Sequence, residues 1–142
     1  MKKILTTILF AFLIILAGAV YLIYAFNQNK MNSIRDKISY QKYIEKEITG
    51  TEMITLINKV IDHNERNSIQ KDEKGKYIED DESSIQIEIK FLENDASIPM
   101  ETISKNGTNQ FLKYYDKCKF KCKEIEYHNK TKKVKKFTFE QI

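Results

Sequence analysis

The run from Ile4 to Phe26 contains no charged residue, and it constrains this chain more than any other feature. At roughly 23 residues it exceeds the ~20 that a helix needs to cross the hydrocarbon core of a bilayer. Tyr21 and Tyr24 lie near one end, where aromatic side chains collect at a membrane interface. A buried core helix is the competing reading. The rest of the chain, 27–142, is about one small domain and cannot wrap such a helix on all sides. The run therefore predicts a membrane anchor surrounded by lipid, with one modest domain behind it.

Lys2 and Lys3 precede the run, in the manner of an export signal. Ala17-Gly18-Ala19 has the small-x-small form of a signal-peptidase site. Cleavage there would leave Val20 to Phe26 as an apolar terminus, so an uncleaved anchor is expected. Lys30, Arg35 and Lys37 flank the far side, partly offset by Asp36, and the positive charges nearly balance. The short basic leader places the N-terminus inside. The expected topology is single-pass in the cell membrane, with the C-terminal domain extracytoplasmic.

The chain holds 24 Lys+Arg against 20 Asp+Glu. Without Lys2 and Lys3 the net charge is about +2, too small an excess for the concentrated basic face of a nucleic-acid binder. Nucleic acid is not an expected partner. Cys118 and Cys122 are the only cysteines. Four residues apart on a strand they would be ~13 Å apart, well beyond the ~7 Å limit of a disulfide. They are expected to point inward as small apolar residues beside Phe120.

Little else advertises chemistry. His63 and His128 have no partner at metal-ligand spacing. Asp80-Asp81-Glu82 lacks the spacing and the glycine of a calcium loop. There is no Gly-rich phosphate loop and no nucleophile elbow. The expectation is a non-enzymatic protein with no catalytic residue, cofactor or metal.

Beyond the anchor, Met31, Ile34, Ile38, Ile44 and Ile48 recur at helical spacing, with Gln41 between. Nothing between Phe26 and Met31 breaks a helix, so one rod is expected from about Ile4 to Ile48. It comprises an anchor, 1–26, and an amphipathic stalk, 27–48, leaving a domain over 49–142. Gly50 suits a C-terminal cap, and Thr49 with Glu52 has capping-box spacing. The second helix then reaches about Asp62 on a stripe of Met53, Ile54, Ile57, Val60 and Ile61, and 63–67 is an exit loop.

Residues 69–71 and 76–79 are expected to pair across a tip with Gly75 at its strained position. Asp80-Asp81-Glu82-Ser83 is a turn. Ile85, Ile87, Ile89 and Phe91 alternate with polar residues, the pattern of a strand with one buried face. A helical stretch from about Pro99 to Tyr115 bends near Gly107. The C-terminal part is a hairpin with its turn at Asn129-Lys130-Thr131-Lys132. In its first strand the apolar register flips after Cys122, which predicts a β-bulge near Glu124.

Asp80, Asp81 and Glu82 belong to an acidic segment spanning 72–82. The hairpin is basic, carrying Lys117, Lys119, Lys121, Lys123, Lys132, Lys133, Lys135 and Lys136. These two groups form the candidate interaction patch. They could pair head to tail between copies, or the lysines could meet anionic headgroups or polymers. Edge-strand lysines that merely prevent aggregation are the alternative.

The layout resembles the type IV pilin and pseudopilin family: a short basic leader, a long helix with an apolar first half, and a small head with an antiparallel sheet. The chain departs from that pattern in having no acid between Met1 and Phe26. The segments 49–54, 84–90 and 120–128 are also similar to stretches of small membrane-anchored proteins of Gram-positive anaerobes, a likeness that implies no activity. The resemblance implies a surface or secretion-apparatus component acting through contacts with itself or other membrane proteins. An anchored module binding a ligand or anionic polymer is the alternative. The expected fold class is α+β: a long N-terminal helix, a short second helix, and an antiparallel sheet of about five strands with one further helix.

Overall fold

The computed structural model describes residues 2–142, with the side chains of Lys2, Ser33, Asn94, Asp95 and Ala96 outside that description. Met1 and the Lys2 side chain, part of the basic leader, are thus outside the described residues. Helix α1 spans Lys2–Ile44 without a break, about 65 Å of helix. It is long and apolar enough to cross a membrane. The helix ends short of Ile48, which instead opens strand β1 (Ile48–Thr49).

Helix α2 (Gly50–Arg66) begins with the predicted capping box. Thr49 Oγ1 accepts from the N–H of Glu52, and the Glu52 carboxylate accepts from the N–H of Thr49 at 2.8 Å. Gly50 is the first residue of α2, not a cap on α1. It lies against the backbone of Tyr115, where a Cβ would overlap the carbonyl oxygen. The helix also runs a turn further than Asp62, so His63 and Asn64 are helical rather than part of an exit loop. Asn64 explains the extension: its amide donates to Ile85 O at 2.7 Å and accepts from Ile85 N at 2.9 Å. That pair ties the helix end to the start of the next strand.

The α+β class holds, with a sheet that is mixed rather than purely antiparallel. Strand β2 (Gln86–Phe91) is followed by β3 (Asn94–Pro99), helices α3 (Met100–Asn106) and α4 (Thr108–Tyr115), and strands β4 (Lys119–Tyr127) and β5 (Val134–Gln141). The order across the sheet is β1-β4-β5-β2-β3. β2 and β5 run parallel, and the other neighbours are antiparallel. The predicted strands at 69–71 and 76–79 reduce to one isolated bridge, Lys71 to Tyr77. Asp72 closes that loop by accepting from the N–H groups of Lys74 and Lys76, and Gly75 takes the left-handed φ of 81°. β1 and β3 fill the five-strand count in their place. The single bent helix expected between Pro99 and Tyr115 is two helices, divided at Gly107 with φ 93°.

β4 bulges where the apolar phase flips. Cys122 pairs with Phe139 and Glu124 with Thr138, leaving Lys123 as the extra residue. The bulge keeps Phe120 and Ile125 on one face. That face, with Ile87, Ile89, Phe137 and Phe139, joins the buried sides of α2, α3, α4 and the end of α1 in one core. The opposite face carries alternating charge, including Glu88, Glu126, Lys136 and Glu140.

Candidate interaction surfaces

The stalk is gripped by the head on a face that the apolar spacing did not mark. Asn29, Asp36, Tyr40 and Tyr43 follow one another at helical steps. Asn29 donates from Nδ2 to Lys130 O at 2.6 Å, and Asp36 Oδ2 accepts from Val134 N at 2.8 Å. Tyr40 is buried and meets Phe137 edge-on, with ring centroids 5.1 Å apart. Burial, then the charge of Asp36, pushes the Tyr40 hydroxyl pKa up to about 12. From α2, Lys59 Nζ donates to both Ser39 O and Ser39 Oγ at 2.8 Å and lies 4.5 Å from the Tyr40 ring centroid. Polar side chains are used here because the hairpin turn presents backbone groups that need partners.

The candidate patch lies close to its own complement. Lys135 reaches Glu79 at 2.8 Å and Glu126 at 4.0 Å. Lys130 reaches Glu82 at 3.5 Å, and Thr131 Oγ1 donates to Glu82 O at 2.7 Å. The acidic turn and the hairpin tip are therefore neighbours within one chain. Lys136 sits between Glu88 and Glu126, Lys123 pairs with Glu140, and Lys119 pairs with Glu47. Exposed pairs of this kind contribute roughly 0–1 kcal/mol each. Among the described residues Lys117, Lys121, Lys132 and Lys133 make no ion pair. Lys132 takes a left-handed φ of 57° in the turn.

Asp80 and Asp81 divide in role. Asp80 Oδ1 accepts from the N–H groups of Glu82, Ser83 and Ser84. Burial acts to raise its pKa, but those backbone donors and the Ser83 hydroxyl together outweigh it and hold the carboxyl well below the usual carboxylate range. Asp81 and Glu82 point to solvent. The two histidines, unremarkable in sequence, hold the same turn. His63 Nε2 donates to Ser83 O at 2.8 Å, and the buried His128 Nε2 donates to Ser84 O at 2.7 Å. Each ties another element to this turn, and the signal for that contact lay only in the fold.

Cys118 and Cys122 are free thiols, half-buried against the core rather than fully inside it. Burial pushes the Cys122 thiol up to about 11, with Glu124 backbone contact opposing. Among the described residues no His, Cys, Asp and Glu side chains gather as a metal-ligating group.

Among the concavities of the head, two lie beside α3. An open cleft of about 790 Å³ lies between the 71–77 loop, the end of α2 and α3. Lys71, Lys74, Lys76 and Lys105 border it, and so do Glu65, Asp72, Glu73 and Glu101, so cations and carboxylates balance. Several of these groups are already engaged: Lys71 with Glu65 at 3.7 Å, and Glu101 with the N–H of Tyr77. A smaller apolar groove of about 250 Å³ runs beside Phe91, Phe111 and Tyr114. Compared with known proteins, the chain matches no family model, no curated protein and no solved structure.

Proposed function

We propose that this chain is a membrane-anchored, non-enzymatic component of a surface or secretion apparatus, pilin-like in layout, that acts through protein contacts. One observation carries the reading. α1 leaves its apolar half and enters the head as a single unbroken helix, and the head clasps it through Asn29, Asp36 and Tyr40. A head held rigidly on its anchor has a fixed height and orientation above a bilayer, which suits a part that packs beside others. In this reading the head is extracytoplasmic and α1 is an uncleaved anchor.

Chemical cross-linking of the tagged protein in its native membrane, sized on a denaturing gel, tests it. Discrete adducts above the monomer are expected. A lone monomer band at every cross-linker length overturns the reading. The lysines that make no ion pair among the described residues, Lys117, Lys121, Lys132 and Lys133, favour a second reading, an anchored module for an anionic polymer or ligand. That reading expects a monomer whose binding weakens steeply with salt.

A further inference from the structure

The head covers only one side of the stalk. On the other side Met31, Ile34 and Ile38 are 54, 44 and 68 % exposed. With 100° between successive residues, these three lie roughly opposite Asn29, Asp36 and Tyr40. They continue a row at alternating steps of four and three: Leu13, Ala17, Val20, Tyr24, Asn27, Met31, Ile34, Ile38. That is the seam spacing of a coiled coil. The row therefore passes from the apolar half of α1 into the stalk without losing register. A lone polar residue, Asn27, marks the point where it leaves the apolar run.

The flanks of this seam within the stalk have one sign. Lys30 and Lys37 precede seam positions, and Arg35 and Lys42 follow seam positions or lie close to them. All four are exposed. Within α1 the only acid, Asp36, is turned to the head and bound to Val134, and Glu45, just past the helix end, accepts a hydrogen bond from Gln41. Copies of this chain anchored side by side would run parallel. Lys30 would then face Arg35 of its neighbour, and Lys37 would face Lys42, which are like-charge pairs that oppose pairing. The charge pattern fits a different helix.

Resting on the reading that α1 spans a membrane and that the protein acts through contacts, we infer that the Met31–Ile34–Ile38 seam docks a helix of another membrane-anchored protein, apolar along one row and acidic on both flanks. The apolar seam supplies contact area, and the basic flanks select the partner and exclude a second copy.

The test uses the full-length protein in nanodiscs of zwitterionic lipid. Two labelled designed helices are titrated in, both with a leucine seam, one with Glu and the other with Lys at the flanking positions. The Glu-flanked helix is expected to bind, more weakly as salt rises. The Lys-flanked helix is expected to bind at least about tenfold more weakly, as is the Glu-flanked helix to the I34N/I38N protein. Both substituted side chains are exposed, so an unchanged thermal melt of the head checks that folding is intact. Equal binding of the two helices, or binding indifferent to I34N/I38N, overturns the inference. A photo-crosslinker at Ile34 that joins two copies of this chain, or joins only lipid, overturns it as well. The native-membrane experiment separates the two proposals. Adducts that persist unchanged in the I34N/I38N protein leave the contact reading standing and sink this seam, whereas loss of every adduct in the unmodified protein sinks both.

Discussion

The carboxylate of Asp36 accepts a 2.8 Å hydrogen bond from the backbone N–H of Val134, 98 residues further along the chain. One contact thus joins the stalk to the first residue of β5, and it does so at a buried residue whose donor has no solvent to turn to.

Asp36→Ala removes the acceptor and leaves that N–H unsatisfied. The expected loss is about 1–3 kcal/mol. Asp36→Asn keeps an oxygen in place and is expected to recover most of it. Urea unfolding in micelles, followed by the tyrosine signal in near-ultraviolet circular dichroism, checks both. Equal midpoints for the alanine and native proteins would remove Asp36 from the account of how the head is held.

Gly50→Ala meets backbone rather than a movable side chain, because its Cβ would overlap the Tyr115 carbonyl. Gly50 is itself pinned in place by its N–H, which donates to Cys118 O at 3.1 Å. α2 and the end of α4 must then separate, at an expected cost of about 3 kcal/mol. By contrast, Gly18→Ala has open space and is expected to leave the head's melting temperature unchanged. A thermal melt of the two variants side by side decides the matter.

Asp80 links the fold to pH. Its folded carboxyl is held below the ordinary value of 3.8 by the donors of its own turn, so the unfolded chain takes up a proton more readily than the folded one. The stabilisation is fully present above the ordinary value and drains away as pH falls below it. Asp80→Asn is expected to cost about 1–2 kcal/mol near neutrality, and the gap from the native protein should narrow on acidification. Urea midpoints at pH 7, 5 and 3 measure that gap; one that stays constant would show that the charge on Asp80 does not contribute.

The parts legible in the sequence were those set by local chemistry. The Thr49–Glu52 box needs only two side chains three residues apart, and the β2 alternation needs only one strand with a wet face. The bulge at Lys123 was readable because the apolar phase itself flips there. The docked face of the stalk was not readable, since Asn29 and Asp36 act by satisfying backbone groups of a distant turn and leave no hydrophobic trace. The exposed Met31, Ile34 and Ile38 drew attention instead, although they face away from the head. β3 was missed for a related reason: as an edge strand its segment shows no clean alternation. The parallel pairing of β2 with β5 depends on partners about 50 residues apart, beyond what a local pattern records.

The place of β5 between β4 and β2 also sets an order of events. During synthesis β2 and β3 emerge with their hairpin long before β5, and β2 waits with one edge bare. β4 waits likewise, joined only to the two-residue β1. Neither half of the sheet can join the other until Val134–Gln141 arrives to fill the gap. The head therefore closes late and as a unit, and any interruption of the chain before that strand leaves two open sheet edges rather than a smaller folded domain.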